Sequence, residues 1–520
     1  MQLPNPHRHN KPKEPLADLH DIIEKARVQC CVVGMSLAVL HKGKLIFAEG
    51  FGKRDEENAF TAETLSPIGS LTKAFTATAV GEMVAEGKMD WDKTPVNKYL
   101  PEFELKDPIL TSQLTLADLL SHRTSLPLTV EQGWVRTEVS RKDLIKRLKY
   151  VEMPSKLSSM TQYNNVMYAV AGEAAANIAG IPYEDVVREK VLKPLGLTNT
   201  GFSPTEMKKR TAAHAMPYNA SSYEDAQRGL FQQESLEESY MTFAPAGDMY
   251  SNVLDLVRWG RVVMKNGELD GKQILNKESI QETLTARTIL QPLRRADRPQ
   301  LAPLIAYGLG WAIDSYQGHT FYWHNGGLPW FTADLIVYPD DDLVIAQLSN
   351  VMHFQLARNL ARYIVDELLD LPRTKDWVFV EAVKETKSSY ESLAKEMAGD
   401  LPERIDNKPA THPKQSYVGE YSNPIYGEIK ICLGCDKNSE GESLYFELWG
   451  CKDKLEHYHF DSFVARLDYW ADGLGLITFQ TGGDGKIMSL TANFSSLKES
   501  PSSPDIQIEF KRKDDVSEDI

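Results

Sequence analysis

Ser70 and Lys73 stand three positions apart in the run Gly69-Ser70-Leu71-Thr72-Lys73. On a helix, residues at i and i+3 share a face, so this spacing lets a hydroxyl and an amine meet. If Ser70 opens the helix, its backbone N–H has no intrahelical partner, and the helix dipole there favours developing negative charge. One residue then offers both a nucleophile and an oxyanion donor. Burial of Lys73 would lower its pKa and make it a base. The spacing alone is weak, because Ser392/Lys395 and Ser495/Lys498 repeat it. Context separates them. Ser70 follows an apolar stretch and begins a helix of small residues, Ser392 lies in a charged helix-like stretch, and Ser495 lies among strands.

Two further groups carry chemistry. In Tyr163-Asn164-Asn165 a phenol beside Lys73 and Ser70 would relay a proton, and the Asn165 amide would orient an acyl group. The plainer reading is a tyrosine packed at a helix start with an asparagine cap. Tyr250-Ser251-Asn252 and Tyr421-Ser422-Asn423 are rival matches. In His324-Asn325-Gly326-Gly327, on a strand edge, paired glycines allow a ligand to approach the backbone, and the Gly327 N–H would be the second oxyanion donor. A satisfied polar side chain is the plainer reading of a lone strand histidine.

The elements that would hold these groups can be read from periodicity. Residues 15–28 predict an amphipathic helix, and VVGMSLAVL-HKGK-LIFAEGFG predicts a hairpin around Gly43. Ser70 to Glu86 predicts a helix stopped by Gly87. A helical middle follows. Strand texture returns at YGLGWAID, FYWHNG, TADLIVYP and LVIAQLSN, so early and late strands belong to one sheet. That makes residues 15–370 one α+β domain: an antiparallel sheet flanked by helices, with a large α-helical insert. Residues 371–412 read as a linker with some helix. Residues 413–512, rich in short strands and turns, read as a small all-β domain. Residues 1–14 read as a loose arm and KRKDDVSEDI as a disordered tail.

The 520-residue chain has 58 Lys+Arg against 73 Asp+Glu, a net charge of −15 that disfavours binding to a phosphate backbone. The start shows no apolar secretory core, and the five cysteines make no disulfide framework, so the sequence reads as soluble and cytoplasmic, with no membrane partner. Cys432, Cys435, Cys451, His457 and His459 lack a zinc-site spacing for the second ligand pair, so no metal site and no cofactor is read.

Taken together, TLSPIGSLTKAFTATAV, LTLADLLSHRTSLP, YNNVMYAVAGEAAANIAG, AGDMYSNVLDLVRWG, YGLGWAI and WHNGGLPWFTADLIVYPDDDLVIAQLSN closely resemble, in order, the serine β-lactamase-like family of class C β-lactamases and penicillin-binding-protein-like enzymes. The resemblance spans about residues 20–365, and the C-terminal unit resembles an appended lipocalin-like domain. It implies Ser70 as the acylated serine, Lys73 beside it, Tyr163 and Asn165 as the second motif, and His324 and Gly326 as the third. The oxyanion hole would be Ser70 and Gly327, with Asn165, Asn325, Gly326 and Trp330 on the substrate. The sequence departs from the family pattern in several places. His324 stands for the lysine of true lactamases, Thr124-Ser125 for Ser-Gly, Asp248 for a glycine, and Trp330 for a glycine, where its bulk would narrow the cleft.

The expectation is a serine hydrolase of the esterase, peptidase or lactamase class. It would act through an acyl-enzyme on an ester, amide or lactone-type carbonyl of a small molecule or peptide. Acyl transfer at the same site and a catalytically inactive scaffold are the alternatives. Residues 129–160 would border the cleft, with Trp134, Arg136 and Arg141 facing an acidic group or solvent.

Overall fold

The computed structural model describes residues 16–126, 130, 139–152, 161–236, 243–291, 305–352, 354–398, 401–435, 442–448, 451–467, 473–494 and 507–513. Trp134, Arg136, Ser495, Lys498 and the 1–14 arm lie outside the described residues.

One antiparallel sheet organises the first unit. Its strands are β1 (Gly34–His41), β2 (Lys44–Gly52), β3 (Thr288–Gln291), β4 (Ile305–Tyr307), β5 (Ala312–Tyr316), β6 (His319–Leu328), β7 (Phe331–Tyr338) and β8 (Leu343–Ser349). They lie in the order β3-β4-β5-β6-β7-β8-β1-β2, so the N-terminal hairpin closes one edge of a sheet built mostly from the C-terminal half of the unit. The β1–β2 hairpin turns at Lys42-Gly43, both left-handed with φ of 49° and 75°, as a tight two-residue hairpin turn requires.

The central strands are apolar on both faces because both faces are covered. Leu37, Val39, Ile336 and Ile345 pack into one cluster with helices α1 (Leu19–Gln29) and α5 (Phe354–Leu368). Their neighbours Ala38, Leu40, Leu335 and Ala346 pack into another with α2 (Thr72–Ala85), α3 (Asn165–Ala179) and α4 (Val253–Met264). The period of two thus sorts one strand's residues between two cores. The predicted helix after Ser70 is present with one difference: Gly69–Leu71 is a 3-10 turn, and α2 begins at Thr72. Gly87 takes φ of 72° just past its end.

The segment read as a linker is partly docked. Trp377 is buried against Arg362, and its indole N–H donates to Asp366 Oδ2 at 3.0 Å. Helix α6 (Ala382–Ala398) follows, with Ala382 and Tyr390 buried against the first unit.

The second unit is an antiparallel meander of nine strands, β9 (Gly419–Asn423), β10 (Gly427–Cys435), β11 (Glu442–Leu448), β12 (Cys451–Lys454), β13 (Glu456–His459), β14 (Ser462–Leu467), β15 (Gly473–Thr481), β16 (Ile487–Phe494) and β17 (Gln507–Arg512). The order β12-β11-β10-β9-β17-β16-β15-β14-β13 joins first strand to last and leaves one seam between β12 and β13. Lys511 and Arg512, read as the start of a disordered tail, belong to β17. Among the described residues no helix is long and apolar enough to cross a membrane.

Asp334 on β7 is wholly buried, and neither carboxyl oxygen has a partner among the described residues. It faces Asn325 on β6 and Gln347 on β8 in register. Burial raises its pKa to about 7, with Arg358 pulling the other way. The neutral form therefore contributes stability that is full below the ordinary value of 3.8 and is lost as pH rises through about 7. Asp334→Asn is neutral at every pH, and its amide can donate to Gln347 Oε1, which lacks a partner. The variant should exceed the parent in stability by about 1 kcal/mol or more at pH 8, with the gap closing near pH 4. Thermal melts across pH check this; parallel curves would contradict it.

Candidate active site

The site forms where the turn before α2 packs on the face of β6, beside that strand's free edge. β5 pairs with β6 only as far as Trp323, so residues 324–328 have no strand neighbour on that side among the described residues. The Gly69–Leu71 turn packs on the face of this stretch. A Cβ on Gly326 would stand 1.8 Å from Ile68 O and 3.1 Å from Ser70 N, and one on Gly69 would stand 2.9 Å from Gly327 N. Two glycines are therefore needed for backbone to touch backbone, and the contact brings the Ser70 and Gly327 amides together. Gly326→Ala should lower stability by about 1–3 kcal/mol and cut the rate at which a fluorophosphonate labels Ser70 by about 100-fold or more. Gly483→Ala, which has open space, is the control for both readings. A fully reactive, stable Gly326→Ala would contradict this packing.

Ser70 is partly exposed, whereas Lys73 is completely buried. Lys73 Nζ lies 2.9 Å from Ser70 Oγ and donates to the Ala246 carbonyl at 2.9 Å. That carbonyl comes from the short helix Ala244–Gly247, whose Pro245 carbonyl also accepts from Thr76 Oγ1 at 2.6 Å. Lys73 Nζ also stands 4.8 Å from the centre of the Tyr163 ring and 5.4 Å from that of Tyr168.

His324 is buried on β6, and both ring nitrogens are engaged. Nδ1 lies 2.6 Å from the Asn325 carbonyl, which can only accept, so Nδ1 carries the proton and Nε2 accepts from the Tyr307 hydroxyl at 3.0 Å. Burial, then the Lys73 charge, pushes its pKa down to about 3, so the ring is neutral. Burial raises the Tyr307 phenol well above its ordinary range, which keeps it a donor. The geometry makes His324 a held group on the strand. Asn325 stands opposite Asp334 in register, and strand alternation starts its side chain on the face away from His324. Asn165 is the first residue of α3. Trp330 sits in the β6–β7 turn at φ of 64°, a left-handed conformation that favours glycine.

Several contacts were not legible in the sequence. His122 lies at the centre of the aromatic wall, its ring 4.3, 5.2 and 4.9 Å from those of Tyr163, Tyr168 and Tyr307. Tyr168 donates to the Leu120 carbonyl at 2.6 Å. The segments LLSHRTSLP and YGLGWAI carry these groups, yet nothing local marks His122 or Tyr307 as neighbours of Ser70. Arg141, expected to face solvent or an acidic group, pairs with Glu184 at 2.7 Å and Glu173 at 3.4 Å. Tyr250 donates to Glu206 at 2.9 Å on the strand beside Ser66–Pro67, and Tyr421 donates to Tyr417 in the second unit, so neither rival motif reaches Ser70. Ser392 is exposed on α6. His457 Nε2 lies 2.8 Å from the Phe460 carbonyl and His459 accepts from Ile405 N–H, and among the described residues no three His, Cys, Asp or Glu side chains cluster as metal ligands.

A family model described as beta-lactamase matches residues 19–369, and one described as a domain of unknown function (DUF3471) matches residues 403–513. The unguisins hydrolase ungD' of Aspergillus campestris is 26% identical over 440 residues, 81% of this chain and 78% of that protein. The octameric penicillin-binding protein homologue from Pyrococcus abyssi superposes with a TM-score of 0.58 at 20% identity, covering 92% of this chain and 98% of that one. A D-stereospecific amidohydrolase from Streptomyces sp. superposes with a TM-score of 0.52 at 20% identity, covering 67% of this chain and 97% of that one. Both superpositions speak to the fold.

Proposed function

The chain belongs to the β-lactamase family, and on that premise we propose that it is a serine hydrolase that cleaves an amide or ester carbonyl through an acyl-enzyme on Ser70. The observation that carries the reading is the pairing of a solvent-reachable serine hydroxyl with a wholly buried lysine amine at 2.9 Å. Ser70 Oγ attacks the carbonyl carbon as its proton passes to the Lys73–Tyr163 pair, which together accept it and redeliver it to the leaving amine or alcohol as the scissile bond breaks. The Ser70 and Gly327 N–H groups hold the oxyanion of the tetrahedral intermediate. Water then attacks the acyl-enzyme, and the same pair takes the water proton and delivers it to Ser70 Oγ as the acyl–Oγ bond breaks and the acid is released.

In this reading His324 keeps β6 and its Gly327 amide in place through Tyr307 rather than touching substrate. Asn165, Trp330 and the main chain of Asn325-Gly326 border the acyl group. The relative named as a hydrolase favours hydrolysis, and no observation favours transfer of the acyl group to an amine or alcohol. The nine-stranded meander supports a lipocalin-like reading of the second unit.

The test is substrate profiling of the purified chain with amino-acid amides of both hands, cyclic and linear peptides, lactams and short acyl esters. Turnover of at least one class, with a transient acyl adduct in the intact mass, is expected. Failure on every class would remove the hydrolase reading and favour a binding scaffold.

A further inference from the structure

His122 has no part in the mechanism above, yet it is fully buried at the centre of the site and holds φ of 59°, a costly conformation for a side chain of its size. Its main-chain carbonyl accepts the Gln162 N–H at 3.0 Å. Its Nδ1 accepts the Asn164 N–H at 3.1 Å. These two bonds fall on either side of Tyr163, and the imidazole lies against the Tyr163 ring between them. An Nδ1 that accepts an amide proton places the ring's own proton on Nε2, so only the neutral ring can make this bond. Burial, then the nearby Lys73 and His324, lowers its pKa well below the ordinary histidine value, which keeps the acceptor available.

We infer that His122 is the positioning residue of the Tyr163 segment: through its carbonyl and Nδ1 it fixes residues 162 and 164, and so sets the Tyr163 phenol against Lys73. The inference rests on the catalytic reading above. It adds that the tripeptide is held from the residues just past the short helix Leu116–Leu120, 40 residues earlier in the sequence, and not by the Asn164 cap of α3 alone. The left-handed backbone is the cost of aiming carbonyl and ring at the same segment.

The experiment separates acceptor from bulk. His122→Asn keeps an acceptor close to Nδ1 and loses the ring; His122→Phe keeps the ring and loses the acceptor. Each is made in the parent and in Tyr163→Phe, and the rate of Ser70 labelling by a fluorophosphonate is measured with the melting temperature. In the parent, His122→Phe should lower the rate by about 100-fold and His122→Asn by less than about 10-fold. In Tyr163→Phe, where no phenol remains to be placed, His122→Phe should cost less than about 3-fold. Additive losses in the two backgrounds, or an Asn variant that fails to fold or to label while the Phe variant labels normally, would overturn the inference. A parent that does not label at Ser70 would instead overturn the catalytic reading, and the inference with it.

Discussion

Ser70→Ala is expected to lower hydrolysis of the best substrate by roughly four orders of magnitude or more, because a triad-type nucleophile is not replaced by its neighbours. The melting temperature should stay within about 2 °C, since the lost hydroxyl is partly exposed and contributes little to packing. The local scaffold survives the change. Thr72 Oγ1 still caps the turn through the Gly69 carbonyl at 2.7 Å, and Ile68 N–H still donates to the Met249 carbonyl at 2.9 Å. The Gly326 and Gly327 backbone contact is untouched. Residual activity near the uncatalysed rate plus the oxyanion contribution is expected. Retention of a tenth or more of parental activity would mean that the bond is broken elsewhere.

Lys73→Met is expected to lower turnover by about 1,000-fold, within the span of general acid–base effects, without loss of stability. Methionine matches the lysine stem in length and is at ease in an apolar pocket. The parent keeps an amine in a fully buried place, where desolvation is expensive. Removing it leaves the Ala246 carbonyl without that donor, a loss of about 1 kcal/mol, which relief of desolvation offsets. A second readout is independent of turnover. After burial, the Lys73 charge is what most depresses the pKa of both His122 and His324. Both should rise in Lys73→Met, while burial keeps them below the ordinary 6.5. Histidine ring titration by NMR checks this, and unchanged titration would place the Lys73 charge away from the two rings. Strong destabilisation with the same loss of rate would mark Lys73 as structural.

What the sequence made legible is what local patterning can carry. The hairpin at Gly43, the two-sided strands and the Ser70 helix follow from periods of two and 3.6 and from glycine positions. The Ser70–Lys73 pair follows from helical spacing, although the serine sits in a 3-10 turn ahead of the α-helix. Long-range polar pairings were hidden. His122 meets Asn164, Tyr307 meets His324, and Ala246 meets Lys73 only because the sheet and three helices bring distant segments together. The polar composition of residues 371–398 concealed its anchors, since Trp377, Ala382 and Tyr390 are few among charged neighbours yet all are buried. Arg141 shows the converse: a charged side chain expected at the surface is held by two glutamates.

The most direct measurement is covalent labelling of the full chain with a fluorophosphonate, followed by intact mass and peptide mapping. One adduct is expected, on Ser70, slowed by a turnover substrate and absent from Ser70→Ala. An adduct on another residue, or continued hydrolysis after Ser70 has been fully labelled, would contradict the assignment of Ser70 as the nucleophile.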